Sequence, residues 1–148
     1  MPTNVLLAEL VADGCAVLVP VLRPDKDLDW RAWQPSTTSP APCAAPARPS
    51  DVRESQADEL GLLGLDAVAQ CDVVLVPALA VDRGGRRLGQ GGGSYDRALP
   101  RRRAGVPVIA LVADAEFVDG PLPVADHDEP VDGVVTPGLG YRALPEHT

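Results

Sequence analysis

The sequence has few aromatic residues and few cysteines. Aromatic side chains make up 3% of the chain, so a hydrophobic core has to be built from valine, leucine and alanine. The three cysteines (Cys15, Cys43 and Cys71) are widely spaced and contain no C-x-x-C pair, which argues against a disulfide framework and against a zinc site. Because Cys15 and Cys71 adjoin apolar runs, we expect both to be small core residues.

Positive charge and long apolar runs are also scarce. The chain has 13 lysines and arginines against 21 aspartates and glutamates, a net charge of −8. This balance argues against general nucleic-acid binding and against a polybasic membrane anchor. No apolar run approaches the roughly 18–20 residues of a membrane span, and no basic segment precedes an apolar stretch at the N-terminus. We expect a cytoplasmic protein without nucleic-acid or membrane partners, with a monomer favoured.

The pattern that is present alternates helices with buried strands. Leu6, Leu7, Leu10 and Val11 recur at helical spacing after Thr3, and residues 60–70 favour a second, short helix. Apolar runs at residues 15–21, 72–76, 106–113 and 131–136 predict strands covered on both faces. Such alternation is typical of a three-layer α/β/α, Rossmann-like domain with a mostly parallel sheet. We expect one domain over residues 1–148, interrupted by a flexible proline-rich insertion at about 35–58.

The densest local feature is a glycine-rich loop that follows the apolar run at residues 72–76. Four of its five residues from 89 to 93 are glycine, and Ser94 is placed to cap a helix beginning at Tyr95. Glycines let backbone N–H groups approach a ligand, and a helix N-terminus favours negative charge. The loop therefore favours an anion, phosphate above all, although a merely flexible turn has the same composition.

Neither common phosphate-loop template fits. No lysine follows the glycines, as a Walker A loop requires, and Ser94 occupies the position of the last glycine in a dinucleotide fingerprint. The basic run at residues 101–103 is typical of a solvated helix end rather than of a phosphate clamp. Trp30 and Trp33 either cover a sheet edge or form a flat wall against an aromatic ligand.

The residues around the loop resemble the signature of the 5-formyltetrahydrofolate cyclo-ligase family. The pattern P-A-x-A-x-D-x-x-G-x-R-L-G-x-G-x-G-x-Y-D-R is matched by residues 77–97, including Pro77, Ala78, Ala80, Asp82, Gly85, Arg87, Leu88, Gly89, Gly91, Gly93, Tyr95, Asp96 and Arg97. A second feature, P-x-x-x-H-D followed by a V-D-x-V-x-T strand, is matched from Pro123 to Thr136. The resemblance covers most of the chain apart from about residues 35–58.

The resemblance implies conversion of 5-formyltetrahydrofolate to 5,10-methenyltetrahydrofolate with ATP as co-substrate and Mg²⁺ as cofactor. Transfer of the γ-phosphoryl group activates the formyl oxygen, and N10 then closes the ring as phosphate leaves. By the same resemblance, the catalytic residues are Arg87 and Tyr95, and the Mg²⁺ ligands are Asp96 and Asp128. ATP would contact Arg87, Gly89, Gln90, Gly91, Gly92, Gly93, Ser94 and Tyr95. The folate would contact Gln90, Gly91, Gly92, Gly93, Ser94 and Trp30.

The sequence lacks two features of the family pattern. A helix bearing Lys and Arg, followed by a strand and a Glu, precedes the first helix in the family, so we expect an N-terminally shortened fold. The middle segment lacks a G-x-x-E-P-like stretch that contributes to the folate pocket. The alternative is therefore a non-catalytic nucleotide- or folate-binding relative. An α/β module for an unrelated phosphorylated metabolite is a third hypothesis.

Overall fold

The computed structural model describes residues 3–35, 61–123, 125–126 and 128–145. In these ranges the α-helices are α1 (Thr3–Ala12) and α2 (Ser94–Ala98), and 3-10 helices span Leu65–Gln70, Leu99–Arg101 and Asp114–Glu116. The strands are β1 (Leu18–Leu22), β2 (Leu28–Ala32), β3 (Val74–Pro77), β4 (Ala80–Asp82), β5 (Arg87–Leu88), β6 (Val108–Leu111), β7 (Phe117–Val118), β8 (Gly133–Thr136) and β9 (Gly140–Ala143). The insertion predicted at about 35–58 lies outside the described residues, apart from Pro35.

The main sheet has four strands in the order β3-β6-β8-β9. β3 pairs with β6 and β6 with β8 in parallel, whereas β9 is an antiparallel edge strand. The three parallel strands come from three of the predicted apolar runs, so the α/β fold with a parallel sheet is confirmed. Val76, Val108 and Val134 are completely buried at its centre, as expected for a core poor in aromatic residues.

The predicted first helix is also confirmed. α1 ends before Gly14, whose φ of +89° suits glycine and whose N–H donates to the Val11 carbonyl oxygen at 3.0 Å. None of its residues is buried. No helix in the described part of the chain is long and apolar enough to cross a membrane.

The first apolar run folds differently from the prediction. Instead of a buried strand over residues 15–21, β1 begins only at Leu18, is partly exposed, and pairs antiparallel with β2. Only five residues separate the two strands, so a hairpin forms at a small loop-closure cost without a crossover. Cys15 is exposed, and its prediction as a core residue is wrong, whereas Cys71 is half-buried and packs against the core.

Residues 62–64 extend this hairpin. The Leu63 N–H donates to the Trp30 carbonyl oxygen at 2.7 Å, and the Gly64 N–H donates to Asp29 Oδ1 at 2.9 Å. The short helix predicted over residues 60–70 is found only over residues 65–70, as a 3-10 helix after Gly64, whose φ is +95°. Trp30 is 5% exposed within the hydrophobic core, which fits the first of its two alternatives, a side chain that covers the sheet.

A second, three-stranded sheet carries the glycine loop. Its order is β5-β4-β7, with β4 antiparallel to β5 and parallel to β7. The hairpin β4–β5 follows β3 directly and leads into residues 89–93 and then α2. These strands are two or three residues long, too short for a periodicity that sequence alone could reveal.

Candidate functional site

The base of the glycine loop is organised by the buried carboxylate of Asp82. Its Oδ1 accepts hydrogen bonds from the N–H groups of Gly84 and Arg86, each at 2.9 Å, and its Oδ2 accepts one from Leu122 at 2.9 Å. Burial alone would raise the pKa of Asp82, but these three backbone donors hold it below its usual value. Asp82 therefore fixes the β4–β5 turn and ties it to the segment that leads toward Asp128.

The glycine loop itself needs glycine at two positions. Gly91 and Gly93 have φ angles of +85° and +65°, in the left-handed region that other residues adopt at a cost. Gly93 is the N-cap of α2 and Ser94 is its first residue, without a side-chain cap hydrogen bond, so the prediction that Ser94 caps the helix is wrong. Because α2 has only five residues, the loop backbone is a better anion-binding element than the helix dipole.

A single arginine attaches the loop to the β1–β2 hairpin. Arg97 Nη1 donates to the Gly92 carbonyl oxygen at 3.0 Å and to the Lys26 carbonyl oxygen at 3.4 Å. A Cβ on Gly93 would lie 3.7 Å from Nη1 of Arg97, so the loop packs closely on this side chain. Arg97 thus holds the loop against the hairpin turn, on the side where Leu22 faces the cleft.

The loop borders a cleft of about 590 Å³ at the carboxyl end of β3. This position is the usual ligand-binding edge of a parallel α/β sheet. The lining consists of Leu22, Pro77, Ala78, Leu79, Arg87, Leu88, Gly89, Gln90, Gly91, Gly92, Gly93, Ser94, Tyr95, Asp96 and Asp128. Asp128 arrives from the segment that leads into β8, and not from the end of a parallel strand.

The charged groups of the cleft form a chain of contacts. Arg87 Nη2 donates to Asp96 Oδ1 at 2.6 Å, and the same oxygen accepts a hydrogen bond from the Glu129 N–H at 3.2 Å. Asp128 Oδ2 accepts a hydrogen bond from the Ala125 N–H at 2.7 Å. Tyr95 lies under the Arg87 guanidinium, 5.9 Å from the ring centroid, and burial raises the pKa of its phenol. The phenol therefore stays protonated at neutral pH.

Comparison with known proteins fits this arrangement. The model of the 5-formyltetrahydrofolate cyclo-ligase family matches residues 1–137. A 5-formyltetrahydrofolate cyclo-ligase from Mycolicibacterium smegmatis is 38% identical over 144 residues, which are 94% of this chain and 69% of that protein. This chain belongs to the 5-formyltetrahydrofolate cyclo-ligase family. The cyclo-ligase of Escherichia coli strain K12 is 38% identical over 71 residues, 47% of this chain and 38% of its own length.

Solved structures support the same fold. The 5,10-methenyltetrahydrofolate synthetase of Aquifex aeolicus matches all of this chain and 68% of its own, with a TM-score of 0.67 and 20% identity. The synthetase of Mycoplasma pneumoniae matches 84% of this chain and 58% of its own, with a TM-score of 0.57 and 18% identity. The chain thus spans between 38% and 69% of the length of these relatives. It is a member of a ligase family of folate metabolism.

The structure brings most of the residues suggested by the cyclo-ligase resemblance to one place. Arg87, every residue from 89 to 96, and Asp128 line the cleft, although Asp128 lies 32 positions after Asp96. Trp30 is the exception, because it is buried in the core and does not line the cleft. Sequence reasoning gave no ligand-binding role to the apolar wall, formed by Leu22, Leu79 and Leu88. The available signal was the position of Leu79 and Leu88 inside the motif over residues 77–97.

The cleft carboxylates suit a Mg²⁺ ion held partly by substrate. Asp96 and Asp128 are hard oxygen donors that line the same cleft. Asp96 Oδ2 accepts no hydrogen bond from the described residues. Within that part of the chain, no group of three or more potential metal-ligating side chains occurs. Mg²⁺ usually takes one or two carboxylates, with water and phosphate oxygens at its other positions, so two protein ligands are adequate.

Proposed function

We propose that this chain binds ATP, Mg²⁺ and 5-formyltetrahydrofolate in the glycine-loop cleft and forms 5,10-methenyltetrahydrofolate. The observation that carries the proposal is the meeting of the glycine loop, Asp96 and Asp128 in one cleft of a cyclo-ligase family member. The loop comes from the segment after β5, whereas Asp128 comes from a distant part of the chain. A merely flexible turn gives no reason for this convergence.

In this proposal, the loop backbone and the two carboxylates have separate roles. N–H groups from Gly89 to Gly93 bind the ATP phosphates, with Gln90 and Ser94 as adjacent polar groups for nucleotide and folate. Asp96 and Asp128 would hold Mg²⁺, which supplies charge neutralisation at the phosphates when bound. The apolar wall of Leu22, Leu79 and Leu88 gives the folate ring system a surface to pack against.

In the proposed reaction, the main task of the chain is to position the two substrates. The formyl oxygen of the substrate is a poor leaving group until it receives the γ-phosphoryl group of ATP. N10 of the same folate then attacks the formyl carbon, and phosphate leaves as the ring closes. Binding of both substrates in this one cleft would bring the formyl oxygen and the γ-phosphorus together. The protonated Tyr95 phenol is a hydrogen-bond donor at this place.

The compartment and assembly state are parts of the same proposal. The cysteines that the structure describes, Cys15 and Cys71, are free thiols, which suits a reducing cytoplasm. We propose a cytoplasmic monomer whose partners are its small-molecule substrates.

The test is formation of the methenyl product, followed by its near-ultraviolet absorbance with ATP and Mg²⁺. We expect product with the parent chain and a large loss of rate in Asp96→Asn, because a neutral amide is a weaker ligand for Mg²⁺. Asp119→Asn is the matched control, since the Asp119 side chain is 81% exposed and lies outside the cleft lining. It should keep the parental rate. No product at high enzyme concentration would refute the catalytic proposal, and calorimetric ATP binding without turnover would favour a non-catalytic binding protein.

A further inference from the structure

The Arg87 side chain is not in the exposed, unpaired position expected of a phosphate-binding arginine. Its side chain is 5% exposed, although it lies at the border of the cleft. Its Nη2 is already engaged by Asp96 Oδ1 at 2.6 Å. A buried charge depends on its partner, because either charge left alone would be strongly destabilising. Swinging the guanidinium out to a phosphate would leave Asp96 without its partner.

The rest of the guanidinium is fixed by the surrounding loop. Its plane lies over the Tyr95 ring, and a Cβ added to Gly89 would come within 3.3 Å of Nη1. Its Nε is buried and has no hydrogen-bond partner among the described residues. The group is therefore held between the ring of Tyr95, the glycine loop and Asp96, with little freedom to reorient.

The fixed position of Arg87 restricts the orientation of the Asp96 carboxylate. Oδ1 accepts two hydrogen bonds, one from Arg87 and one from the Glu129 N–H, which leaves Oδ2 as the oxygen available to a cation. Glu129 directly follows Asp128, so the same oxygen also ties Asp96 to the segment that carries the second carboxylate. Glu129 is held in turn by Arg102, whose Nη1 donates to Glu129 Oε2 at 3.2 Å.

We propose that Arg87 is a positioning residue that orients Asp96 toward the Mg²⁺ of the nucleotide, and is not a phosphate ligand. The inference rests on the proposed function and replaces the direct phosphate contact that the family resemblance suggested for Arg87. Hydrogen bonds behind a metal ligand set its orientation, and their loss typically lowers metal affinity by about 10–100-fold. An arginine that acts through Asp96 should have no effect on the affinity for ATP and Mg²⁺ once Asp96 no longer binds the ion.

The experiment is a double-mutant cycle on the Kd of ATP with saturating Mg²⁺, measured by calorimetry. Arg87→Met and Asp96→Asn should each weaken binding about tenfold or more. Adding Arg87→Met to Asp96→Asn should cause no further loss. A phosphate ligand predicts the opposite, a loss from Arg87→Met of similar size in both backgrounds, and that result would overturn the proposal. Arg83→Met is the matched control, because the Arg83 side chain is 64% exposed, pairs with the exposed Asp119 and lies outside the cleft lining, and it should keep the parental Kd.

Folding of each variant is checked by circular dichroism. Should Arg87→Met fail to fold, Arg87→Lys replaces it in both backgrounds, since lysine keeps a charge beside Asp96. The double variant removes both charges and leaves neither one buried alone. If the parent chain binds ATP and the losses of affinity from Arg87→Met and Asp96→Asn add in the double variant, the positioning role is refuted and the proposed function stands. Absence of ATP binding by the parent chain would refute both.

Discussion

The ion pair between Asp27 and Arg101 gives the sharpest stability prediction. Arg101 Nη1 and Nη2 donate to the two carboxylate oxygens of Asp27, each at 2.7 Å. The pair joins the turn of the β1–β2 hairpin to the 3-10 helix after α2. Asp27 Oδ1 also accepts a hydrogen bond from the Leu28 N–H at 2.8 Å. Such two-point pairing is the strongest arginine–carboxylate geometry.

The magnitude follows from the titration of Asp27. Its hydrogen bonds from Arg101 lower its pKa from 3.8 to about 2. A shift of that size corresponds to about 2 kcal/mol, and we expect about 1–2 kcal/mol because Arg101 is 29% exposed and solvent screens the pair. The folded-state pKa lies below the unfolded value. The contribution is therefore fully present above about pH 4 and is lost as the pH falls toward 2.

The assay is urea unfolding of Asp27→Asn and the parent, from pH 7 down to pH 3. We expect the variant to be less stable by about 1–2 kcal/mol at pH 7, with a difference that shrinks below pH 4 as the parent loses its advantage. Asp72→Asn is the matched control. Asp72 pairs with Arg103 at a similar distance of 2.6 Å, but its side chain is 93% exposed, so the change should be too small to measure. An equal loss in both variants, or a difference that does not depend on pH, would refute the reasoning.

Two further predictions concern the backbone around the sheets. Gly133→Ala should lower the free energy of unfolding by about 1–3 kcal/mol in urea, since its Cβ would lie 2.7 Å from Tyr141 Cε2 and 3.2 Å from the Arg142 carbonyl oxygen. Gly120→Ala, with nothing within 4 Å of the added Cβ, is its control and should be neutral or slightly stabilising. Asp82→Asn should lower the free energy of unfolding by about 1–3 kcal/mol, because an NH₂ group would replace one of the two carboxylate oxygens that accept the three backbone hydrogen bonds. Unchanged midpoints in Gly133→Ala or Asp82→Asn would contradict these assignments.

The sequence predicted the parallel sheet because its strands come from nearly continuous apolar runs, although in the structure β6 alternates buried with half-buried residues. Such runs are rich in valine and isoleucine, as at residues 106–113. The glycine loop was equally visible, since glycines crowd together only where the backbone needs their freedom or their small size. The motif match then suggested Asp96 and Asp128 as neighbours, and the structure places both at the same cleft.

The features that were missed depend on tertiary contacts. β1 carries a proline and β2 alternates apolar with charged residues, so neither indicates which strand will be its partner. The basic run at residues 101–103 favoured a solvated surface, yet Arg101 pairs with Asp27 and Arg102 with Glu129, 74 and 27 positions away. Pairs so distant in sequence leave no periodic signal. The role of Trp30 in the core likewise depended on which element packed above it.

The same pairing of arginines shapes how the cleft can bind a nucleotide. Its charged lining, within the described residues, is Arg87, Asp96 and Asp128, which together carry one net negative charge. Arg87 is neutralised by Asp96, so no side-chain cation there is free to attract a triphosphate. In the proposed function, backbone N–H groups and a divalent ion held by the two carboxylates would then be the sources of attraction for the phosphates. In the proposed function, ATP would therefore enter this cleft as its magnesium complex, with the ion as the bridge between like-charged protein and phosphate.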